Sequence, residues 1–289
     1  MRYEGSSMHV SALHFYPLKS GRGIALREAE IGAEGIPGDR RMMLVDPDGT
    51  FITQRDTPAL ARLDVQPQAK GATIAFDGGE AFDIPLPTAE RRMDVVVWKS
   101  SVSAAVADDA TNARLSAWIG RAVQLVFFDD VAARTASAEW AGDGTPVTFA
   151  DGYQVLITTT ASLAALNADM EAHGEGAIGM ERFRPNIVLE TDEAWTEDGW
   201  VSLEIGGITF DLVKPCARCI MTTQDQWTGS RDVASPMPAM GRIRMSADRR
   251  VPGPLFGWNA VPRGRGRIEI GSAVKVLAER DVAWAIKRR

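Results

Sequence analysis

The sequence predicts a mainly β protein with some α-helix, an α+β fold. Short runs rich in valine, isoleucine and phenylalanine recur along the chain, and clusters of turn residues separate them. Only two segments carry the caps and apolar spacing of a sizeable helix. With 45% apolar and 24% charged residues, the 289-residue chain can bury the core of one large domain or of two smaller ones.

The first hundred residues indicate short strands joined by turns, which is typical of a β-barrel or a sandwich. The run "HVSALHFYPL" alternates apolar and polar residues. The run "RMMLVDPDGTFITQ" predicts a hairpin, because Pro47 presets φ and Gly49 allows a positive φ. Further strands are predicted in "ATIAF", "AFDIPL" and "MDVVVW", with Gly78-Gly79 as a turn.

Two helices are predicted next, each beside a strand. Asp108 or Asp109 caps "DDATNARLSAWIG", Gly120 ends it, and the strand "VQLVFF" follows. The segment "YQVLITTTASLAALNADMEAHG" predicts a strand, a Ser/Thr-rich cap and a helix that ends at Gly174.

The last third returns to strands. The runs "NIVLE", "WVSLEIGG" and "ITFDLV" lead to the motif "KPCARC", with a turn at Gly206-Gly207. Residues 230–266 are rich in proline, glycine, arginine and methionine, and they predict a long surface loop. The run "RIEIGSAVKVL" predicts a final hairpin.

Composition narrows the class of partner. The net charge of −6 argues against nucleic acid or an anionic membrane surface as the main partner. No apolar run approaches the ~20 residues of a membrane span, and the first residues lack the features of a signal peptide. Because two cysteines in so long a chain are no disulfide framework, we expect a reducing, cytoplasmic location. We expect residues 1–7 to be a leader before Met8, or Met8 to be an alternative start.

Both cysteines, Cys216 and Cys219, stand in "KPCARC". A redox pair normally opens a helix, which the β-branched residues after Cys219 disfavour. A structural zinc site needs four ligands, and the three histidines are distant in sequence. Two buried structural thiols remain an alternative. Lys214 and Arg218 favour a thiolate, a soft ligand for a transition metal. We therefore favour one thiolate that binds a metal carried on an anionic organic cofactor.

Further candidate residues stand in turns and at strand or helix ends, where backbone N–H groups and cations can hold an anion. The P-loop spacing is absent, so no nucleotide triphosphate site is predicted. The candidates are Lys19, Ser20 and Arg22 in "YPLKSGRG", Arg40 and Arg41 in "GDRR", Arg55 in "QRD", Thr159 and Ser162 in "TTTASL", and Arg184 and Asn186 in "FRPNIVL".

These motifs, in this order and with a late "LFG" at 255–257, resemble the MOSC family, in particular its amidoxime-reducing type. The resemblance runs from Val10 to Leu277. It implies an N-terminal β-barrel domain over residues 8–125 and a MOSC β-barrel domain over residues 126–280.

The resemblance also implies a molybdenum–pterin cofactor, Mo-molybdopterin. Cys219 matches the molybdenum ligand, Cys216 a supporting position, and Asp225 an aspartate near the substrate that would orient it or move protons. Arg22 would help to neutralise the cofactor. The residues that match cofactor-binding positions are Lys19, Ser20, Arg40, Thr159, Ser162, Arg184, Asn186, Ala217, Arg218 and Cys219.

The implied activity is reduction of small N-hydroxylated or N-oxide compounds. The chain has no cysteine after Cys219 and cannot hold a Cys₄ iron–sulfur cluster, so a separate reductase protein is expected to supply electrons. A carrier of the cofactor, or of its sulfurated form, is the main alternative, and a thiol–disulfide protein is the second. Gln226 stands where the family has a proline, which removes a stiffening residue from that turn.

Overall fold

A computed structural model describes residues 8–287, so the predicted leader at residues 1–7 lies outside the described residues. The mainly β prediction is confirmed. The strands are β1 His9–Phe15, β2 Ile24–Leu26, β3 Glu28–Ile31, β4 Met42–Val45, β5 Leu63–Gln68, β6 Gly71–Phe76, β7 Phe82–Pro85, β8 Arg92–Val97, β9 Ser100–Val106, β10 Gln124–Phe127, β11 Val155–Thr159, β12 Ile187–Glu190, β13 Trp200–Ile205, β14 Ile208–Ala217, β15 Leu255–Arg263, β16 Gly266–Glu269 and β17 Val274–Glu279. The helices are α1 Asp109–Ile119, α2 Ala138–Ala141, α3 Thr160–Ala172 and α4 Met237–Ile243. Short 3₁₀ turns occupy Pro58–Arg62, Met180–Phe183, Thr196–Gly199 and Ile220–Thr223.

The largest sheet joins strands from both ends of the chain. Its eight strands follow the order β17-β13-β14-β15-β11-β12-β1-β2. Strand β3 pairs with β16, so residues 9–31 are hydrogen-bonded to the second half of the chain. One core lies under this sheet and includes Val10, Leu13, Ile187, Phe210 and Trp258.

Two smaller sheets lie in the first half of the chain. Strands β4, β10, β9 and β8 form one, and β5, β6 and β7 form the other. Helix α1 packs beside them through the fully buried Leu115. The predicted caps of α1 are confirmed, since Asp108 accepts a hydrogen bond from the Thr111 amide and Gly120 has φ 77°.

For the predicted hairpin at residues 41–54, the turn is confirmed, but its second strand is confirmed only in part. The Asp46 amide donates to the Thr50 carbonyl at 2.8 Å, and Gly49 has φ 86°. After the isolated bridge of Phe51 to Val45, the chain curls into a turn, because the Asp56 carboxylate accepts from the Thr53 amide.

Two predictions for the last third are wrong, that of a surface loop and that of a final hairpin. Residues 230–266 are no surface loop: they contain α4 and the buried strand β15, whose Phe256 and Trp258 are at most 1% exposed. The residue composition of this segment resembles that of a loop, but β15 is stabilised as a strand by its pairing with β11 and β14. The predicted last hairpin is absent, since β16 pairs with β3 and β17 with β13. The residues after Cys219 form a 3₁₀ turn, since the Thr222 amide and hydroxyl both donate to the Cys219 carbonyl.

Within residues 8–287, no helix combines the length and apolar character needed to cross a membrane.

Candidate anion-binding cleft

A cleft of about 450 Å³ opens where loops from both halves of the chain meet the end of β14. Its lining is strongly cationic, although the whole chain has a net charge of −6. Asp151 is the one carboxylate among the lining residues that the structure describes. The eight cations of the lining are Lys19, Arg40, Arg55, Arg182, Arg184, Lys214, Arg218 and Arg250.

Unusual backbone conformations concentrate at this cleft. Among the described residues, six non-glycine residues have positive φ, and four of the six line the cleft. These four are Ser20 at 64°, Arg40 at 48°, Trp98 at 57° and Arg184 at 54°. Such conformations cost free energy and persist at positions where the surrounding structure enforces them, frequently at functional sites.

Aromatic rings support seven of the eight cations. An aromatic ring attracts a nearby cation but has no net charge, so it does not neutralise the cation. A carboxylate does neutralise it. The distances from cation to ring centroid are 5.6 Å for Lys19–Phe51, 4.2 Å for Arg40–Tyr16, 4.8 Å for Arg55–Trp98, 4.3 Å for Arg184–Tyr16, 5.2 Å for Lys214–Trp140, 5.4 Å for Arg218–Phe183 and 5.4 Å for Arg250–Trp140.

Lys19 and Asp151 form an ion pair at one end of the cleft. The Lys19 ammonium donates to the Phe149 carbonyl at 2.8 Å and to Asp151 Oδ1 at 2.5 Å. Burial lowers the pKa of Lys19, and Asp151 partly offsets this. The Asp151 side chain is 60% exposed, and Lys19 and Arg55 hold the pKa of its carboxyl well below its usual value. The Arg134 guanidinium donates hydrogen bonds to the carbonyls of residues 148, 150 and 151, which holds the loop that carries Asp151 in place.

Arg40 is fixed by polar neighbours at the entrance to β12. It donates to Asp39 Oδ2 at 2.5 Å and to Asn186 Oδ1 at 3.1 Å. Burial raises the pKa of Asp39, although the Arg40 guanidinium opposes that shift. Asp39 also accepts from the Tyr16 amide, which ties this group to the end of β1.

Arg184 is buried, and one of its guanidinium nitrogens has no hydrogen-bond partner. Its Nη1 donates to the Gly21 carbonyl at 2.7 Å and to Gln226 Oε1 at 3.1 Å, while its buried Nη2 has no hydrogen-bond partner. Burial lowers the pKa of Arg184 to about 10. Gln226, at the position where the resemblance implies a proline, is therefore a buried hydrogen-bond partner of Arg184. Gln226 Nε2 in turn donates to Gln54 Oε1 at 3.2 Å.

Cys216 and Cys219 are both unpaired, half-buried thiols that line the cleft. Arg218 Nη1 lies 2.9 Å from Cys216 Sγ and its Nη2 donates to the Phe183 carbonyl, so this arginine contacts the first thiol. Arg218 Nε is buried without a partner. In the described part of the chain, no three His, Cys, Asp or Glu side chains gather as a metal-binding group.

The structure brings ten of the predicted residues together on this cleft: Lys19, Ser20, Arg40, Arg55, Arg184, Asn186, Cys216, Ala217, Arg218 and Cys219. It places Arg22, Arg41 and Asp225 outside the lining. Arg22 donates to the Trp227 carbonyl at 3.0 Å. Asp225 accepts from the amides of Trp227 and Thr228, at 3.0 and 2.7 Å, and so orders the turn that carries Gln226.

Thr159 and Ser162 also lie outside the lining, at the start of α3. Their hydroxyls donate to the carboxylate of Glu197 at 3.2 and 2.7 Å. Burial raises the pKa of Glu197. The carboxylate bound at the start of α3 is thus that of Glu197, a side chain of the protein itself.

The sequence reasoning missed several lining residues, among them Asp151, Trp98, Arg182 and Tyr153. Arg182 could have been predicted, since it directly precedes the motif "FRPNIVL" that contains Arg184. Asp151 and Trp98 carry no local signal, because their place at the cleft depends on how distant loops meet.

Comparisons with known proteins agree with this architecture. The family profile of the MOSC N-terminal beta barrel domain matches residues 7–122, and that of the MOSC domain matches residues 144–275. The chain is 28% identical over 286 residues to the human mitochondrial amidoxime-reducing component 1, covering 93% of this chain and 83% of that protein. It is 27% identical over 243 residues to the human molybdenum cofactor sulfurase, covering 77% of this chain and 27% of that protein.

Among solved structures, the YUAD protein from Bacillus subtilis aligns with 94% of this chain and 96% of its own, at 10% identity and a TM-score of 0.41. The two family profiles together account for most of the chain, in the order in which the N-terminal and MOSC domains were predicted. The chain therefore belongs to the MOSC family, with a MOSC N-terminal beta barrel domain followed by a MOSC domain.

Proposed function

We propose that this protein is a molybdenum-cofactor-dependent oxidoreductase that reduces N-hydroxylated or N-oxide compounds with electrons from a separate reductase protein. One observation carries the proposal: Cys219 lies on a cleft lined by eight cations and a single carboxylate. The names of the relatives, an amidoxime-reducing component and a molybdenum cofactor sulfurase, support the same chemistry.

The residues of the cleft fit such a cofactor. Buried donors without partners, Arg184 Nη2 and Arg218 Nε, call for acceptors that the protein does not supply. A lone thiolate among cations suits a metal whose remaining ligands come from an anionic organic group. A bare metal ion fits poorly, because no third or fourth protein ligand lies nearby in residues 8–287.

Each part of the cleft would have a distinct task. Lys19 and Ser20 would hold the phosphate, while Arg40, Arg184 and Asn186 would bind the pterin. Cys219 would be the protein's sulfur ligand to molybdenum, next to Ala217 and Arg218. When bound, the cofactor supplies the two-electron chemistry, and the protein supplies orientation and charge compensation. We also propose that the protein works in the cytoplasm, where the two free thiols would stay reduced.

Substitution of Cys219 tests the proposal. In cells that make the cofactor, we expect Cys219→Ala to abolish reduction of benzamidoxime and to lower the molybdenum content per chain, because the direct ligand is lost. Elemental analysis and pterin fluorescence give readouts that are independent of turnover.

Cys216→Ala is the matched control, since it removes the neighbouring thiol of the same cleft. We expect this variant to keep its molybdenum. Full activity and metal content in Cys219→Ala would refute the assignment, and equal losses in both variants would indicate a dithiol mechanism.

The sulfurase relative keeps a second function open, that of a cofactor carrier. Turnover with dithionite-reduced viologen separates the two. A reductase converts the amidoxime to the amidine under these conditions, whereas a carrier contains molybdenum and converts nothing.

A further inference from the structure

One group of cleft residues is left over after the cofactor contacts have been assigned. Lys214, Arg250 and Tyr153 line the cleft, but none of the three is among the residues that match cofactor-binding positions. The Trp140 ring of α2 supports both cations, and Tyr153 packs against the apolar cluster that contains Ala141 of α2. We call Lys214, Arg250 and Tyr153 the side subsite.

The Lys214 ammonium has no carboxylate partner among the described residues. It lies 5.2 Å from the Trp140 ring and makes no hydrogen bond or ion pair with any residue that the structure describes. Because a ring holds a cation in place without cancelling it, this ammonium is positioned and uncompensated.

Arg250 is only partly neutralised. Its Nε and Nη2 bind Asp248, while its guanidinium also lies 5.5 Å from the Trp284 ring. The Tyr153 hydroxyl makes no hydrogen bond with a described residue, and burial raises its pKa to about 12, which keeps it a donor. Glu139 is the other carboxylate that acts on Arg250 and Tyr153, and neither Glu139 nor Asp248 lines the cleft.

The side subsite shares a wall with the candidate metal ligand. Lys214 and Cys216 lie on β14, and Cys219 follows two residues after the strand ends. Cys219 is five positions after Lys214, so at most roughly 17 Å of extended chain lies between them. Lys214 and Cys219 therefore line the same cleft, and Arg250 lies at the same Trp140 ring as Lys214.

We propose that Lys214 and Arg250 bind an anionic group, carboxylate or phosphate, on the substrate. This deepens the proposed function and rests on it: the preferred substrates are N-hydroxylated compounds that carry a negative charge away from the N–O group. Tyr153 donates a hydrogen bond to the same anion. A second phosphate, on a larger form of the cofactor, is the competing source of such an anion.

A matched pair of substrates tests the subsite in the cofactor-loaded protein. Benzamidoxime is neutral, and its 4-carboxy derivative adds one negative charge to the same ring. We expect Lys214→Gln and Arg250→Gln each to raise KM for the carboxylated substrate about fivefold more than KM for benzamidoxime, as for one partly exposed ion pair. Lys70→Gln, in the exposed turn between β5 and β6, is the control for net charge.

The outcomes separate the sources of the anion. Equal KM changes for both substrates, or no change for either, would overturn the subsite and leave the proposed function standing. A nucleotide or extra phosphate released with the pterin, together with lower molybdenum content in Lys214→Gln, would assign the anion to the cofactor and also overturn it. Failure of the wild type to reduce either amidoxime would overturn the proposed function, and the subsite with it.

Discussion

At the scale of single residues, the candidate site was predictable where a local motif carries it. Lys19, Arg40, Arg184 and Arg218 stand in turns or at strand ends that the sequence indicates, and the structure brings them to one cleft. The rings that support them could not be predicted. Tyr16 lies 168 positions before Arg184, and such distant pairs depend on strand pairing across the whole fold.

Asp151 gives a prediction of pH dependence. Its pKa is lowered in the folded protein, so it stabilises the fold above the unfolded pKa of about 4, and this contribution is lost as the pH falls through the folded value. We expect Asp151→Asn to show a smaller drop in Tm between pH 5 and pH 3 than the wild type. Thermal unfolding in a pH series measures this.

Asp143→Asn is the control for that series, since Asp143 is exposed and has no partner among the described residues. Its Tm profile should follow the wild type. A profile of Asp151→Asn with the wild-type slope would show that the ion pair with Lys19 contributes nothing measurable.

At the scale of elements, local signals and long-range packing contributed unequally to what could be predicted. The caps of α1 were predictable, because Asp108 and Gly120 act on their own helix. Strand β15 was not, because its glycine, proline and arginine content resembles that of a loop. Its partners on β14 and β11 lie between 38 and 105 positions before it in the chain.

Gly257 of β15 illustrates this long-range constraint. It has φ 76°, and an added Cβ would lie 2.7 Å from Thr158 Cγ2 and 2.8 Å from the Ile157 carbonyl oxygen. We expect Gly257→Ala to lower the free energy of unfolding by about 1–3 kcal/mol through backbone strain alone, and by more through the contact with β11. Urea unfolding followed by tryptophan fluorescence measures it.

Gly241→Ala supplies the opposite expectation in the same protein. Gly241 lies inside α4, and an added Cβ would meet nothing within 4 Å. We expect this substitution to stabilise the protein by up to about 1 kcal/mol, because alanine favours the helix and restricts the unfolded chain. Equal effects at the two glycines would contradict this account of β15.

At the scale of the whole molecule, the order of the two domains was predictable and the way in which they share strands was not. The matched segments, 7–122 and 144–275, follow the predicted order. Strands β1 and β2 nevertheless belong to the eight-stranded sheet, because β1 pairs with β12. Pairing between residues so far apart in the chain leaves no periodic or local signal in the sequence.

This sharing predicts that residues 126–287 alone do not fold cooperatively. Without β1, the buried Ile187 and Leu189 of β12 would lose their neighbours Val10 and Leu13. We expect no cooperative thermal transition by circular dichroism for this fragment. Fusion of residues 8–31 to it through a flexible linker should restore β1 to β3 and part of the cooperativity.

A cooperative transition of the fragment alone would show that the second half is an independent folding unit. It would also mean that β1 and β2 are attached to the sheet without being required for it.

The placement of cations over aromatic rings has a consequence for how quickly the protein can be charged with its ligand. Guanidinium groups locked into carboxylate pairs must first be released, and that release adds an activation barrier to every loading event. Four of the eight lining cations form salt bridges, with Asp151, Asp39 or Asp248, whereas Arg182, Arg184, Lys214 and Arg218 form none with a described residue. An incoming polyanion therefore finds four cations that are held in place and need not first be released from a carboxylate. Loading should then be limited by encounter rather than by rearrangement of the pocket.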